Sequence, residues 1–493
     1  MLQNASEVAS ARWVHTRVLT FETGMRRLVV LAVLGLAIAL YLYNLTSMGM
    51  VGPDEPRYAD VGRAMAESGD WVTPRLWGQP WFEKPALLYW MTASAFSLGL
   101  GPDLAPRLPV ALLSLAFLAF FWWRLQIEWD ARVAAYSTAM LATSAGWLTY
   151  SHVAVTDLPL AAFFSAAVLL ALPWAQGRGH AWETIAAAAC LGLAVLAKGL
   201  VPLVLFFPVL FLGPSPRWRS LVRWLEPAPV SAFLIFALPW YILCVLRNGN
   251  DFVQVFFVQQ QFSRFSSPAL QHVQPWWFYI PVFLLLLFPW FPILALTPRA
   301  LQRSAQDSCV RMLAIVVAFG FVFFSASLNK LPGYLLPLLP PACILMGVGL
   351  SRASRPAMAV IAPLALLGVL PAMARIAPAA LGGGGLHAAQ IPWAALLIAL
   401  AGTGVAATAL ALAAGPRAFP IASLAIAAAF FWFQLATFRA FDAAASARPV
   451  WLARHPRCAP RVSRALLYGL YYYSQQQLPD CPLLDPNRRR VVR

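Results

Sequence analysis

The sequence predicts an all-α, polytopic membrane protein, on the strength of its composition and of a repeated pattern. Of its 493 residues, 60% are hydrophobic and only 11% are charged, and the chain contains 20 Trp and 32 Phe. Apolar stretches of about 18 to 22 residues, the length that a helix needs to cross the hydrocarbon layer, recur along it. One soluble core could not bury so much apolar surface.

The first apolar stretch, residues 28–43, follows several arginines and is predicted to be a retained membrane anchor. It is too long for a cleaved signal core, and no A-x-A site follows it. Twelve further spans are predicted to begin near Leu108, Ala134, Leu158, Thr184, Leu200, Val230, Trp276, Met312, Leu335, Met358, Trp393 and Ile421. We therefore expect about thirteen transmembrane helices, two of which abut near Lys198.

The net charge of +17 is interpreted as a signal of membrane orientation and not of nucleic-acid binding. The arginines lie mainly in short connections between apolar stretches, where cytoplasmic Lys and Arg fix topology. Counting spans from a cytoplasmic N-terminus places four such connections inside: 216–224, 298–306, 351–356 and 415–417. The same count places five polar segments outside: 47–107, 151–157, 247–274, 327–334 and the tail after residue 439. The polar chemistry is thus expected on one face of the membrane.

The predicted organisation has three parts: an N-terminal segment (1–26), a transmembrane domain (27–437) that contains the first outer loop (46–107), and a short outer C-terminal segment (438–493). The glycine run at 382–385 is predicted to be a flexible connection.

Cysteine placement fits this organisation. Cys458 and Cys481 lie in the outer C-terminal segment, where an oxidising compartment would allow a disulfide between them. The other four cysteines lie in or near predicted spans, and we expect them to pack as small apolar side chains.

The first outer loop is too long to be a mere connection. GPDEPRYADVGRAM, residues 52–65, predicts a surface helix in which Pro56 takes the first position and Asp54 or Glu55 caps the end. The stretch 71–85 contains three prolines and is predicted to be extended or turned. Residues 86–100 are apolar but shorter than a span, so they predict an interfacial or re-entrant helix.

The order of motifs resembles that of the bacterial aminoarabinose (undecaprenyl phosphate) transferases, which belong to the GT-C superfamily and are similar to protein O-mannosyltransferases. The motifs run from about residue 25 to 341: PDEPRYADVGRAMAESGDWVTPRLWGQPWFEKPALLYW, APRLPVALLS, TDLPL, FSRF with PWWFYIP, and SLNKLPGYLLPLLPP. The resemblance implies a GT-C fold whose large first periplasmic loop bears juxtamembrane helices. It also implies a bacterial inner-membrane protein with a periplasmic active site and C-terminus.

The resemblance further implies a sugar donor carried on a polyprenyl phosphate. It places Asp54 at the catalytic aspartate and Asp157 at the second outer-loop aspartate, and it assigns Tyr58 and Tyr334 to the donor pocket. Four cations are implied around the donor phosphate: Arg57, Lys84, Arg264 and Lys330.

The residue chemistry agrees with those roles. Cleavage of a sugar from a lipid phosphate leaves an anion, which cations in a low-dielectric site would stabilise. Asp54 is a candidate general base for an acceptor hydroxyl; with an acceptor phosphate it would instead orient the donor sugar or bind a metal. Two structural alternatives stay open: Lys330 could extend to the membrane interface, and Asp157 could cap the helix that follows it.

A divalent metal ion (Zn, Mg or Mn) is a further expectation from the resemblance, with Glu83 as a ligand. However, Gln259 to Gln261 stand where the family often has histidines, and glutamine is a poor zinc ligand. His272 or His152 could substitute, or carboxylates alone could hold a hard ion.

The predicted function is transfer of a sugar, 4-amino-4-deoxy-L-arabinose or another pentose or hexose, to lipid A or another envelope acceptor. The protein is expected to act as a monomer in the bilayer, without nucleic acid. Two alternatives are a protein O-mannosyltransferase-like enzyme and a flippase for lipid-linked sugars. A flippase should show charges near mid-span or paired broken helices, and the sequence shows neither.

Overall fold

The computed structural model describes residues 35–211, 217–263, 273–298, 302, 306–380, 392–459 and 461–481, without the side chains of 217–220 and 260–263. The main described helices, in chain order, are α1 (35–43), α2 (Asp54–Ser68), α3 (Leu87–Ser97), α4 (Leu108–Glu128), α5 (Ala131–Ala142), α6 (Ala145–Ser151), α7 (Asp157–Ala175), α8 (Ala181–Lys198), α9 (Val201–Leu210), α10 (Arg217–Trp224), α11 (Pro227–Phe252), α12 (Trp276–Leu286), α13 (Ser308–Ala326), α14 (Pro332–Ser351), α15 (Pro356–Ala379), α16 (Trp393–Ala414), α17 (Ala418–Ala445), α18 (Arg448–Arg454) and α19 (Arg464–Ser474). Helical residues Val253–Ser263 continue α11, and a short helix, Phe291–Leu296, follows α12. A two-stranded hairpin pairs β1 (Arg75–Leu76) with β2 (Gln79–Pro80).

The predicted all-α, polytopic architecture is confirmed. Among the described residues, eight helical stretches are long and apolar enough to cross a membrane. They are α4, α7, α8, Pro227–Gln259, α13, α14, α15 and Trp393–Ala445. The predicted number of thirteen is not confirmed, because α9 and α12 are shorter than a span and α5 is separated from α6 by a break. The N-terminal segment and the glycine run at 382–385 lie outside the described residues.

Helices α7 and α14 form the centre of the bundle, whereas α16 and α17 lie at its periphery. In both α7 and α14, 94% of the most apolar window is buried, against 11% in Trp393–Ala445. Small residues allow close helix contacts: Gly347 of α14 faces the Ser137 side chain of α5 without room for a Cβ atom. Exposed apolar residues on the peripheral helices are the expected surface toward lipid.

Polar groups collect at two opposite ends of the bundle. At one end, Lys198 is the C-terminal residue of α8 and pairs with Asp157, the first residue of α7. The distance between Lys198 Nζ and Asp157 Oδ1 is 2.6 Å. At the other end, Arg124 near the close of α4 pairs with Glu183 near the start of α8 at 2.7 Å. We call the end that carries Asp157 the site end.

The polar segments that were predicted to share one face meet at the site end. Glu55 of the first loop accepts a hydrogen bond from the Ala154 backbone N–H at 2.9 Å, which joins loop 47–107 to segment 151–157. Arg247 at the close of α11 pairs with Asp70 of the same loop at 2.9 Å. For these described residues the prediction of a common face is confirmed.

Helix α2 begins at Asp54, two residues before the predicted start, and the predicted capping by Asp54 or Glu55 is wrong. Pro53 occupies the N-cap position, and no side chain caps the helix. Glu55 cannot act as a cap because its side chain turns inward and is fully buried.

The buried partner of Glu55 is Arg107, whose side chain is 1% exposed. Its Nε donates to Glu55 Oε1 at 2.7 Å and its Nη2 donates to Oε2 at 2.8 Å. The same guanidinium donates to the carbonyls of Leu45, Met48 and Gly49. Burial alone would lower the pKa of Arg107, but the Glu55 carboxylate raises it, so the guanidinium stays charged.

The C-terminal segment is a compact unit attached to the site end. Cys458 and Cys481 form the disulfide that their placement allowed, and α19 lies within the loop that it closes. The Tyr473 hydroxyl donates to Asp103 Oδ1 at 2.7 Å, which fixes α19 to the end of the first outer loop.

Arg107→Met should destabilise the protein strongly, because it leaves the Glu55 carboxylate buried without its countercharge. Loss of one partner from a buried ion pair costs about 3 to 5 kcal/mol. The measurement is thermal unfolding of the purified protein in detergent.

The matched control is Arg247→Met, which breaks an ion pair in the same outer region where the arginine side chain is 54% exposed. Exposed pairs contribute about 1 kcal/mol or less. Equal melting temperatures for the two variants would contradict the predicted larger contribution of the buried pair to stability.

Candidate active site

The first candidate cluster links Asp54, Arg57 and Glu83 through one guanidinium group. Arg57 is ion-paired with Asp54 one helical turn before it, and its Nη1 lies 3.5 Å from Glu83 Oε2. Its Nε also donates to the Pro53 carbonyl at 2.9 Å. Asp54 is the most open member, with 41% of its side chain exposed, against 10% for Arg57. Burial would lower the pKa of Arg57, but Glu83 and Asp54 raise it.

Aromatic rings surround this cluster. The Arg57 guanidinium carbon lies 5.3 Å from the ring centre of Trp81 and 5.3 Å from that of Tyr468. Tyr58 packs beneath, edge to face with Tyr89 at 6.0 Å between ring centres. Burial, with the negative charge of Asp54, raises the pKa of Tyr58 well above its usual value, so this phenol is neutral.

The second cluster contains Asp157, Lys198 and Tyr334. Besides pairing with Asp157, Lys198 places its ammonium 4.7 Å from the ring centre of Tyr334. The helix-capping alternative for Asp157 is wrong, because Thr156 is the N-cap residue and the Asp157 carboxylate binds Lys198 instead. The resulting ion pair joins α7 and α8 at the point where α14 begins.

Tyr150 lies next to the second cluster, because a Cβ atom added at Gly333 would lie 2.6 Å from Asp157 Cγ and 2.7 Å from the Tyr150 hydroxyl. Burial is the main cause that raises the pKa of Tyr150, and the charges of Asp157 and Asp54 raise it further. Both carboxylates are therefore within electrostatic reach of one phenol. The fold thus places at one end of the bundle two aspartates that are about one hundred positions apart in the sequence.

The remaining predicted cations differ in their surroundings. Lys84 is 7% exposed and lies beside Glu83 in the chain. Lys330 is 5% exposed, and its ammonium donates to the carbonyls of Gln274, at 3.1 Å, and Ser327. Lys330 therefore does not extend to an interface; it ties two backbone segments together. Arg264 lies outside the described residues.

The described residues do not form a metal site. No group of three His, Cys, Asp or Glu side chains able to hold an ion occurs among them. Glu83 faces the Arg57 cation, which competes with any metal. His152 packs between the rings of Tyr41 and Phe438, and burial lowers its pKa to about 4. His272 and the side chains of Gln260 and Gln261 lie outside the described residues, so the divalent ion stays a prediction and no step below uses one.

Four residues at the site end were not assigned a role from the sequence: Arg107, Tyr150, Lys198 and Tyr468. Lys198 offered a signal, since the chain has only three lysines and this one ends an apolar helix. Arg107 stands before an apolar helix in APRLP, a place that also suits a topology-determining arginine. Tyr468 belongs to a tyrosine-rich stretch without a recognisable motif.

Comparison with protein families gives a match over residues 27–249 to the model described as dolichyl-phosphate-mannose-protein mannosyltransferase. A protein of Pseudomonas aeruginosa (strain UCBPP-PA14), named undecaprenyl phosphate-alpha-4-amino-4-deoxy-L-arabinose arabinosyl transferase, is 33% identical over 331 residues. A protein of the same name from Edwardsiella ictaluri is 32% identical over 326 residues. These alignments cover 64% and 63% of this chain but only 58% and 57% of the relatives, so the chain spans less than two thirds of their length.

The fold is that of a solved relative. The crystal structure of ArnT from Cupriavidus metallidurans in the apo state matches with a TM-score of 0.71 and 26% identity, over 92% of this chain and 86% of that one. The same protein bound to undecaprenyl phosphate matches with a TM-score of 0.71 and 24% identity over the same shares. With the motif order and the helical bundle, these matches show that the chain is similar to the aminoarabinose transferases in both sequence and fold.

Proposed function

We propose that this chain is an integral membrane glycosyltransferase that moves a sugar from a polyprenyl-phosphate donor to an acceptor of the cell envelope. The observation that carries the proposal is the convergence of two acid–base clusters, Asp54 with Arg57 and Asp157 with Lys198, at one end of an apolar helical bundle. A related protein of the same fold has been solved with undecaprenyl phosphate bound.

Arg57 and Lys198 would bind the donor phosphate, with Lys84 nearby in the first loop. Each of the first two cations is now paired with a carboxylate, so an incoming phosphate would compete with Asp54 and Asp157 for it. Charge-assisted hydrogen bonds to a phosphate are strong in a low-dielectric site. Binding of the donor would thereby release Asp54 from Arg57 for the chemistry.

In the transfer step, the bond between the sugar C1 and the phosphate oxygen breaks, and the phosphate keeps the electron pair. A new bond forms between C1 and the acceptor oxygen. If the acceptor is a hydroxyl, its proton passes to the Asp54 carboxylate; an acceptor phosphate is already ionised, and Asp54 would then orient the donor sugar. The cations stabilise the phosphate that leaves.

The names of the relatives favour 4-amino-4-deoxy-L-arabinose as the sugar. Lipid A is the acceptor that we propose. A second candidate is transfer to protein hydroxyls, supported by the match of residues 27–249 to a protein mannosyltransferase model. The site end is proposed to face the periplasm, since the disulfide in the C-terminal segment requires an oxidising compartment. We further propose that the protein lies in the inner membrane with its N-terminus in the cytoplasm, and that it acts as a monomer.

The function is tested by incubating the purified protein with an undecaprenyl-phosphate-linked sugar and an acceptor. An enzyme releases free undecaprenyl phosphate, whereas a flippase moves the lipid without cleaving it. In a deletion strain, mass spectrometry of lipid A and of envelope glycoproteins then identifies the sugar and the acceptor. If free undecaprenyl phosphate is released with neither a lipid A acceptor nor a protein acceptor, the proposal is refuted.

Asp54→Asn should reduce transfer by a factor of about 100 or more when the acceptor is a hydroxyl, because the amide cannot take the proton. The measurement is the rate of undecaprenyl phosphate release. The matched control is Glu67→Gln, which removes one carboxylate from the exposed far end of the same helix. Full activity of Asp54→Asn would remove Asp54 from the reaction.

Gly333→Ala should also impair transfer, because a Cβ atom at this position would lie 2.6 Å from Asp157 Cγ and 2.7 Å from the Tyr150 hydroxyl. The methyl group would displace the Asp157 carboxylate, which pairs with Lys198. Gly101→Ala, where no atom lies within 4 Å of the added Cβ, is the matched control. Transfer rates that are equal in the two variants would show that the close packing around Asp157 is dispensable.

A further inference from the structure

We propose that Tyr468, in the C-terminal segment, is a positioning residue for Arg57 and that this segment forms one wall of the donor-phosphate site. The inference rests on the proposed function for the role of Arg57. It adds a contribution from a segment that begins about two hundred residues beyond the matched family region, which ends at residue 249.

The first support is the placement of Arg57 against two aromatic rings. Its guanidinium carbon is 5.3 Å from the ring centres of both Trp81 and Tyr468. The polar partners of the same group, Asp54, Glu83 and the Pro53 carbonyl, occupy its N–H groups. A planar guanidinium that is held by aromatic rings keeps its orientation when a hydrogen-bond partner leaves. The rings would therefore hold Arg57 in place while phosphate replaces Asp54.

The second support is that Tyr468 is itself held in position. Trp77, in the turn between β1 and β2, packs on Tyr468 at 5.3 Å and on Tyr471 at 5.1 Å between ring centres. Trp77 adopts a φ of 51°, a left-handed conformation that is costly for a bulky residue and that the surrounding packing maintains.

The third support is the attachment of α19. The Cys458–Cys481 disulfide closes the loop that contains it, and Tyr472 and Tyr473 bind the first outer loop. The hydroxyl of Tyr472 donates to the Pro102 carbonyl at 2.6 Å. Helix α19 is thus fixed by the disulfide and by its hydrogen bonds to the first outer loop. A residue that orients a site group needs such a rigid support.

The test compares Tyr468→Leu, Tyr468→Phe and Tyr471→Leu. Tyr471→Leu is the matched control. It also removes a tyrosine ring that packs on Trp77, but the ring against Arg57 is that of Tyr468 and is kept. We expect Tyr468→Leu to weaken binding of undecaprenyl phosphate, used alone as the probe, by about three- to tenfold, and to raise the donor KM similarly. Tyr468→Phe, which keeps the ring, and Tyr471→Leu should stay within about twofold of the unchanged chain.

A double-mutant cycle separates positioning from general packing. In an Arg57→Gln background, Tyr468→Leu should have no further effect on undecaprenyl phosphate binding, because the group that it orients is gone. Equal losses from Tyr468→Leu and Tyr471→Leu, or an undiminished effect of Tyr468→Leu without Arg57, would overturn the proposal.

Failure of the proposed function gives a different result. If the unchanged chain binds undecaprenyl phosphate but transfers no sugar, while Tyr468→Leu still weakens binding through Arg57, the transferase proposal fails and the positioning role stands. If the unchanged chain transfers sugar and Tyr468→Leu binds the lipid equally well, only the positioning role fails. If the unchanged chain neither binds nor transfers, both fail.

Discussion

The buried ion pair between Arg107 and Glu55 is the interaction on which the site end depends. Two charges without access to water are tolerated because the guanidinium meets both carboxylate oxygens and several carbonyls, so the cost of desolvation is offset. Through Glu55 the pair joins the start of α2 to the start of α4 and to the Ala154 backbone. Asp54, the neighbour of Glu55, is consequently presented outward at a fixed position.

The candidate site is built from cations that are already paired. Arg57 and Lys198 each hold a carboxylate, and each also contacts an aromatic ring, which keeps both charges oriented in an apolar bundle. A phosphate donor would find positive groups arranged in advance and would exchange one anion for another. The proposed exchange would account for the concentration of acidic and basic residues in a chain that is otherwise so apolar.

The C-terminal segment extends the site beyond the region that the family model matches. Its disulfide limits the freedom of a short segment that has only a small apolar core of its own. The tyrosines of α19 then serve two purposes: Tyr472 and Tyr473 anchor the helix, and Tyr468 reaches Arg57. A segment with little independent stability is thereby made part of a defined surface.

The sequence by itself determined the membrane-spanning class, the approximate starts of the long apolar helices, the face on which polar segments gather, and most candidate residues, because apolar length and charge position are local properties. Only the tertiary structure decided the partners. Glu55 was one of two candidates to cap α2 but binds Arg107, and Asp157, a candidate site residue that could also have capped α7, binds Lys198. These pairs join residues 41 or more positions apart, so their free energy depends on burial and geometry that no local pattern records.

The contact of Tyr468 with Arg57 arises in the same way, from the packing of the C-terminal segment against the first outer loop.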